Sequence, residues 1–337
     1  MDRLTFRQTL AAGLDDVVHY GKRLTHYEDV PGGVVRAHFA DGSSAEGDVL
    51  VGADGIGSAV RSQLLPNAQT FDTSLRLIYG RTPLTPARRE LLADFAIVTG
   101  PSARSMVLGV FEFENDPRHV AGSLGLSTSF TDVGDYVMWG LVVPAEDVGE
   151  ESPTGTAPGE ESPTGTAVDE EPLTGTAVDE EPLTGTAVDE ESPTGTATGE
   201  EPLTGSALDE ESLIGAALKL TSGWHPGVHG LIEEAVPSSL TLLSLHSSIP
   251  VDAWRTRNVT LLGDAAHAMF PAGGGTAIAL RDAAELRQAL HTVTTGTSHL
   301  LPALATYESA MRSYSASAVR ESYLMAERLG APPWPAP

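Results

Sequence analysis

The stretch Leu261–Leu286, LLGDAAHAMFPAGGGTAIALRDAAEL, decides how the rest of the chain is read. A short apolar strand, continuous with Val259 and Thr260, runs into Gly263-Asp264. A small-residue turn follows, and Gly273, Gly274 and Gly275 open a helix. Open α/β sheets bind their ligands at the C-terminal ends of strands, which is where Asp264 falls. Its carboxylate can accept hydrogen bonds from ligand hydroxyls. Pro271 fixes the turn and the glycines let the backbone approach closely. The helix starting near Thr276 then presents bare N–H groups and a positive dipole end to the same space. Such a corner favours an anion, or an electron-rich ring oxygen beside a sugar-like hydroxyl. Taken alone, it reads equally well as a Gly-rich turn with Asp264 as a local cap.

A second corner has the same design. In DVLVGADGIGSAVR, Asp48–Arg61, a strand ends in Gly52-Ala53-Asp54-Gly55, and Ser58 opens a helix carrying Arg61. Gly55-Ile56-Gly57-Ser58-Ala59-Val60 nearly spells a dinucleotide fingerprint, with Asp72 at the distance of a ribose acid. However, Val60 stands where close helix packing needs Gly or Ala, and no strand pattern ends at Asp72.

Around these corners the chain alternates strands and helices. Leu4–Val17 reads as a helix with Leu4, Leu10, Leu14 and Val17 near one stripe. VVHYG, RLTHYE and the run from Gly33 to Asp54 read as strands, with a tight turn at Asp41-Gly42. LRLIYGR, SMVLGVFEF, GSLGLSTSF and YVMWGLVV, between Ser74 and Val143, imply a mostly antiparallel sheet interrupted by a helix at Pro86–Leu92. GLIEEAV reads as a short helix, LTLLSLHSS as a strand, and Thr276–His291 and Leu301–Arg328 as closing helices. Trp139, Phe111 and Phe113 are either pocket-lining or plain sheet core.

Between Glu151 and Glu210 the chain is a tandem decapeptide of the ESPTGTAVDE type, with ESLIGAALKL as a decayed seventh copy. The units lack aromatics and carry too little apolar surface to offset their ordering entropy, so a disordered insertion is expected. Removing it should leave the unfolding midpoint nearly unchanged. The formal charge of −26 is largely local to this segment: 18 of the 46 acids lie between Glu150 and Glu211, without a Lys or Arg. The remainder carries 28 acids against all 20 bases. That balance argues against a nucleic-acid partner. No apolar run reaches membrane-spanning length, the N-terminus lacks a signal-peptide core, and there is no cysteine. The expectation is a cytoplasmic protein with no membrane partner. The ten histidines are scattered, so no metal site is expected.

Together the two corners resemble those of FAD-dependent monooxygenases of the para-hydroxybenzoate hydroxylase type, the class A flavoprotein hydroxylases. LVGADGIGSAVR is similar to that family's Asp-Gly motif and LLGDAAHAMFP to its Gly-Asp motif. The Arg-led MDRLTFRQTL, GWHP at Gly223–Pro226, PVDAW at Pro250–Trp254 and YESAMR at Tyr307–Arg312 match its other landmarks.

The resemblance implies an α/β fold with an incomplete FAD-binding three-layer domain and an inserted, mostly antiparallel substrate domain. The FAD-binding parts would be residues 1–70 and 251–337, the substrate parts 71–149 and 212–250, and the repeats 150–211. It implies FAD as cofactor, NAD(P)H as transient reductant, O2 as co-substrate and an aromatic or similar small molecule as substrate. Asp264 would hold the ribityl hydroxyls and Gly263 would allow close approach. Asp54 and Gly55 would pack near the cofactor, and Arg3 would reach its phosphate or ribityl region. Pro271, Gly274 and Gly275 would shape the loop whose N–H groups face the flavin pyrimidine ring. No general acid or base is singled out, and His267 reads as part of the turn.

Three features depart from the family pattern. The family's opening strand, Gly-x-Gly-x-x-Gly and helix are not in this sequence, so a missing phosphate cradle and weak FAD binding are expected. The loop PAGGGTAIALRDA is one residue shorter than usual, with Ala277 or Ile278 in place of an Asn. The decapeptides occupy part of the substrate domain. Alternatives are therefore an inactive flavoprotein remnant, or an interaction protein working through its acidic repeats.

Overall fold

The computed structural model describes residues 3–100, 104–123, 134–149 and 209–335, and all of the decapeptides but the last two residues lie outside them. Helix α1 (Arg3–Ala11) opens this part of the chain. It is shorter than the apolar spacing predicts: Leu14 and Val17 lie beyond its end, and Leu10, Leu14 and Val17 are all exposed. With no packed face to hold a further turn, the helix stops, because tertiary burial rather than propensity sustains most short helices. No strand forms at VVHYG.

Strands β1 (Leu24–Val30), β2 (Val34–Phe39) and β3 (Ser44–Gly47) form an antiparallel meander. The first turn uses Gly32 and Gly33, both at positive φ, and the second uses Asp41-Gly42 as the sequence predicts. Only the inward positions Tyr27, Val35 and Ala37 are fully buried, the half-covered alternation of an antiparallel sheet.

Strand β4 (Leu50–Gly52) leads into helix α2 (Ala59–Leu64), whose N-cap Ser58 accepts a hydrogen bond from the Arg61 N–H. The long strand β5 (Thr70–Pro83) follows, then α3 (Pro86–Leu91), β6 (Phe95–Thr99), β7 (Ser105–Phe111), α4 (Pro117–Ser123) and β8 (Tyr136–Pro144). GSLGLSTSF was expected to be a strand. Its first two residues, Gly122 and Ser123, instead close α4, and the rest lies outside the described residues. Asp72 does not end a parallel strand. It lies within β5, where both of its oxygens accept from Arg76.

Helix α5 (Glu210–Leu220) occupies the segment expected to be a decayed repeat. Asp209 caps its N-terminus by accepting from the Ser212 N–H at 2.8 Å, and Glu210 and Glu211 favour the positive end of its dipole. Leu213, Ala217 and Leu220, four and three apart, are buried on one face. A repeat-derived acidic start has become a helix cap. Helix α6 (Pro226–Glu233) and strand β9 (Thr241–Ser248) complete this part.

The sheet order β6-β7-β8-β5-β9 is antiparallel throughout. One face, with Ile78, Met106, Trp139 and Leu141, packs on α5 and α6. Gly80 makes room there: a Cβ on it would lie 2.3 Å from the Trp139 ring. Trp139 is therefore core, and its indole N–H donates to Thr82 Oγ1. Phe111, on the other face, is half-buried and stacks on Tyr136.

The chain ends with strand β10 (Val259–Leu261) and helices α7 (Asp264–His267), α8 (Gly275–Thr294) and α9 (Leu300–Arg328). Strand β10 pairs in parallel with β4, aligning Val259 with Leu50 and Leu261 with Gly52. A second core gathers Val60, Val259, Leu261, Leu286, Leu304, Tyr307 and Met311 around that pair. Helix α9 continues into a third core, where Tyr323, Ala326 and Leu329 meet Leu75, Val142 and Leu245 of the antiparallel sheet. Among the described residues no helix is long and apolar enough to cross a membrane.

Candidate active site

Because β4 and β10 run parallel and in register, their C-terminal ends deliver Asp54 and Asp264 to the same end of the pair. Gly52 draws the elements together: a Cβ there would lie 2.7 Å from both Leu261 Cδ2 and Val60 Cβ. The Leu262 N–H donates to the Gly52 carbonyl at 3.0 Å, extending the pairing to the edge of both corners.

Arg61 ties the corners to each other. It is only 7% exposed. One end of its guanidinium donates to the carbonyls of Ala265 at 3.1 Å and Asp264 at 3.4 Å, and the other donates to the Ile56 carbonyl. Burial lowers its pKa, an effect partly countered by the Asp54 charge. The sequence shows Arg61 on the helix but not its reach across to the second corner.

Asp54 and Asp264 have different jobs. Asp54 turns its carboxylate to its own loop, accepting from Ser58 Oγ at 2.5 Å and from the Val60 N–H at 3.2 Å. It holds the start of α2 and, through α2, Arg61. Gly55 takes φ +76°, so the loop can fold back and its carbonyl can accept from the Ser58 N–H. Asp264 is exposed at the first position of α7. The preceding Gly263 is buried at φ 59°, ψ −144°, a conformation essentially reserved for glycine. A Cβ on Gly263 would sit 3.3 Å from Ala279 Cβ, which shows how closely α8 packs on the corner.

Helix α8 has Gly274 as its N-cap and Gly275 as its first residue, and no side chain caps it. Its first-turn N–H groups therefore face outward, beside Gly273 at φ +92° and the exposed Pro271. The long helix places its positive dipole end there. Arg3 belongs to α1, and its side chain lies outside the described residues.

Behind the corner is a polar cluster that sequence reasoning missed. Asp282 of α8 is fully buried. Its Oδ2 accepts from the Gly263 N–H at 2.8 Å and pairs with His267 Nε2 at 2.6 Å; its Oδ1 accepts from Tyr314 Oη at 2.6 Å. Burial, then this hydrogen bond, pushes the Tyr314 phenol above its ordinary pKa. Tyr307 Oη donates to the Leu261 carbonyl at 2.8 Å, and burial raises its pKa as well. A signal was present: Asp282 stands four residues from both Ile278 and Leu286, a carboxylate inside an otherwise apolar helical stripe.

A strand-end carboxylate thus lies beside a glycine-rich helix start that no side chain caps. A family model described as an FAD binding domain matches residues 237–322. The dual O-methyltransferase/FAD-dependent monooxygenase elcB of Phaeosphaeria nodorum is 34% identical over 304 residues, covering 85% of this chain and 28% of elcB. The 6-hydroxynicotinate 3-monooxygenase of Pseudomonas fluorescens is 28% identical over 285 residues, covering 83% of this chain and 53% of that enzyme. In fold, the chain is similar to Klebsiella pneumoniae HpxO, solved with FAD and uric acid. The TM-score is 0.59 at 22% identity, over 93% of this chain and 59% of HpxO. The chain belongs to the FAD-dependent monooxygenase family. It spans about a quarter to a half of the length of these two curated relatives.

Proposed function

We propose that the Gly263–Asp264 corner and the start of α8 bind FAD, and that the chain serves the NAD(P)H- and O2-dependent oxygenation of a small aromatic or similarly electron-rich molecule. The observation that carries this reading is the convergence of the exposed Asp264 carboxylate with the uncapped glycine N-terminus of α8. The residues fit the ribityl and ring portion of the cofactor. Asp264 would accept from the ribityl hydroxyls, and the N–H groups of Gly274 and Gly275 would face the pyrimidine edge. When bound, FAD supplies the redox chemistry that side chains lack. The helix start would stabilise negative charge on the ring through oriented N–H dipoles. Arg61 and Asp54 would keep the two corners in register.

The substrate side would be the half-buried face of the antiparallel sheet. There Phe111 stacks on Tyr136 at 4.9 Å and the Arg81 guanidinium lies 5.4 Å from the Tyr136 ring centroid. A planar ring matches such a surface. The relatives' names point the same way, since one acts on 6-hydroxynicotinate and another was crystallised with uric acid.

The test is a flavin titration of the full chain followed by fluorescence quenching. The expected result is weak but saturable FAD binding that Asp264→Ala weakens about a further tenfold, the loss of charge-assisted hydrogen bonds. Binding unchanged in that variant, or no uptake by the wild type, would overturn the reading.

A further inference from the structure

The polar cluster behind the corner does not touch the face offered to ligand, yet it ends on the backbone of the residue that aims Asp264. We propose that Asp282 is the positioning residue of the Gly263–Asp264 corner, acting through the Gly263 N–H with the carboxylate oxygen that also pairs with His267, while Tyr314 satisfies the other oxygen. The inference rests on the proposed flavin role of that corner.

The chemistry of the three partners supports it. A carboxylate only accepts hydrogen bonds, so the Gly263 N–H, the Tyr314 O–H and His267 Nε2 are all donors to Asp282. The partners come from different places in the chain: the end of β10, helix α7 and helix α9. One buried side chain therefore fixes the strand end, the short helix and α8 relative to α9. Gly263 needs such a hold. Its φ of 59° with ψ −144° is not a conformation that local sequence enforces, and glycine has many others open to it. With its N–H anchored to Asp282, the next residue leaves the strand in one direction, and the Asp264 carboxylate follows.

His267 belongs to this support and not to proton transfer with a substrate. Its Nε2 is committed to Asp282. Its Nδ1 is buried, on a residue lining a chamber of about 10 Å³ among Pro250, Val251, Ala266, Met311 and Val319. That is room for about one water molecule.

The experiment compares the full chain with Asp282→Asn and Tyr314→Phe by amide hydrogen exchange, thermal unfolding and FAD titration. In Asp282→Asn the new amide can donate to Tyr314 Oη and keep its oxygen toward Gly263, so the fold survives with a weaker, uncharged acceptor. The expected result is a Gly263 amide exchanging about tenfold faster while Val259 and Leu261 in β10 keep wild-type protection. FAD affinity should fall with it, at a thermal midpoint close to wild type. Tyr314→Phe, which spares the Oδ2 bonds, should leave Gly263 exchange within about twofold of wild type.

Unchanged Gly263 exchange in Asp282→Asn would overturn the proposal. So would faster exchange spread evenly over β10, which marks a general loss of stability. A loosened corner with undiminished FAD affinity would overturn it too. If the wild type takes up no flavin, the functional reading fails by itself, and Gly263 exchange still decides whether Asp282 sets the corner.

Discussion

Replacing Gly52 by Ala tests the packing that brings the two corners together. The added methyl would lie 2.7 Å from Leu261 Cδ2, 2.7 Å from Val60 Cβ and 2.9 Å from Val60 Cγ1. Real Cβ contacts essentially never come so close. Leu261 and Val60 are 0% and 2% exposed, so neither can swing into solvent. Val60 Cβ is fixed to the backbone of α2, so relief requires moving the helix away from the strand. Overpacking of this kind costs about 1–3 kcal/mol, and the rigidity of both neighbours argues for the upper end. The entropy gained by losing a glycine in the unfolded chain offsets about 0.5 kcal/mol. A net loss of about 2 kcal/mol should lower the melting temperature by roughly 4–8 °C.

Differential scanning calorimetry on Gly52→Ala and Gly57→Ala makes the comparison. Gly57 lies in the same loop, has nothing within 4 Å of a built Cβ, and does not need positive φ. Its substitution should change stability by no more than about 0.5 kcal/mol. If Gly52→Ala melts with the wild type, α2 does not sit against β4 and β10 as described, and the route by which Arg61 joins the corners is wrong.

Arg61→Met should cost about 2–3 kcal/mol, because the carbonyls of Ile56 and Ala265 lose a buried donor while the burial cost of the charge is relieved. Lys at this position should not restore stability in urea unfolding, since it lacks the planar fork that serves both corners. Thr82→Val should cost about 2 kcal/mol by leaving the Trp139 indole N–H and the Leu231 carbonyl unpaired, with Thr82→Ser close to wild type. Glu308 is 1% exposed beneath β10, accepting from Thr256 Oγ1 at 2.6 Å and Thr260 Oγ1 at 3.0 Å. Burial raises its pKa, so the folded chain binds the proton more tightly than the unfolded chain. Its contribution is complete below the unfolded value, about 4.3, and is lost as pH rises through the higher folded one. Glu308→Gln does not titrate and should gain stability relative to wild type between pH 4 and pH 7 in melts; a constant gap would contradict this.

Both strand-end corners were legible because their signal is local: an apolar run, Gly-Asp, then a small-residue helix start. The antiparallel sheet was legible from alternation in LRLIYGR, SMVLGVFEF and YVMWGLVV. What sequence reading missed depends on partners far away in the chain. The first helix was drawn too long because Leu14 and Val17 have the right spacing, yet no surface covers them. ESLIGAALKL was grouped with the repeats by its letters, although its apolar residues fall at helical spacing once Asp209 supplies a cap. The hold that Asp54 keeps on Ser58 and the Val60 N–H within its own loop was not read from the sequence. Arg61 and Asp282 act on backbone 203 and 19 positions away, and no spacing rule reaches that far.

Arg104 has a consequence of its own. Its guanidinium pairs with Asp147 at 2.8 Å, just before the chain enters the decapeptide array, and donates to the Leu220 carbonyl at 3.3 Å, at the end of the helix that follows it. The exit and the return are thus clasped by one side chain standing just before β7. Tandem copies are prone to gain and loss when a gene is duplicated unequally. A clasp that holds both banks of the crossing lets the number of copies drift over generations while the two corners keep their places.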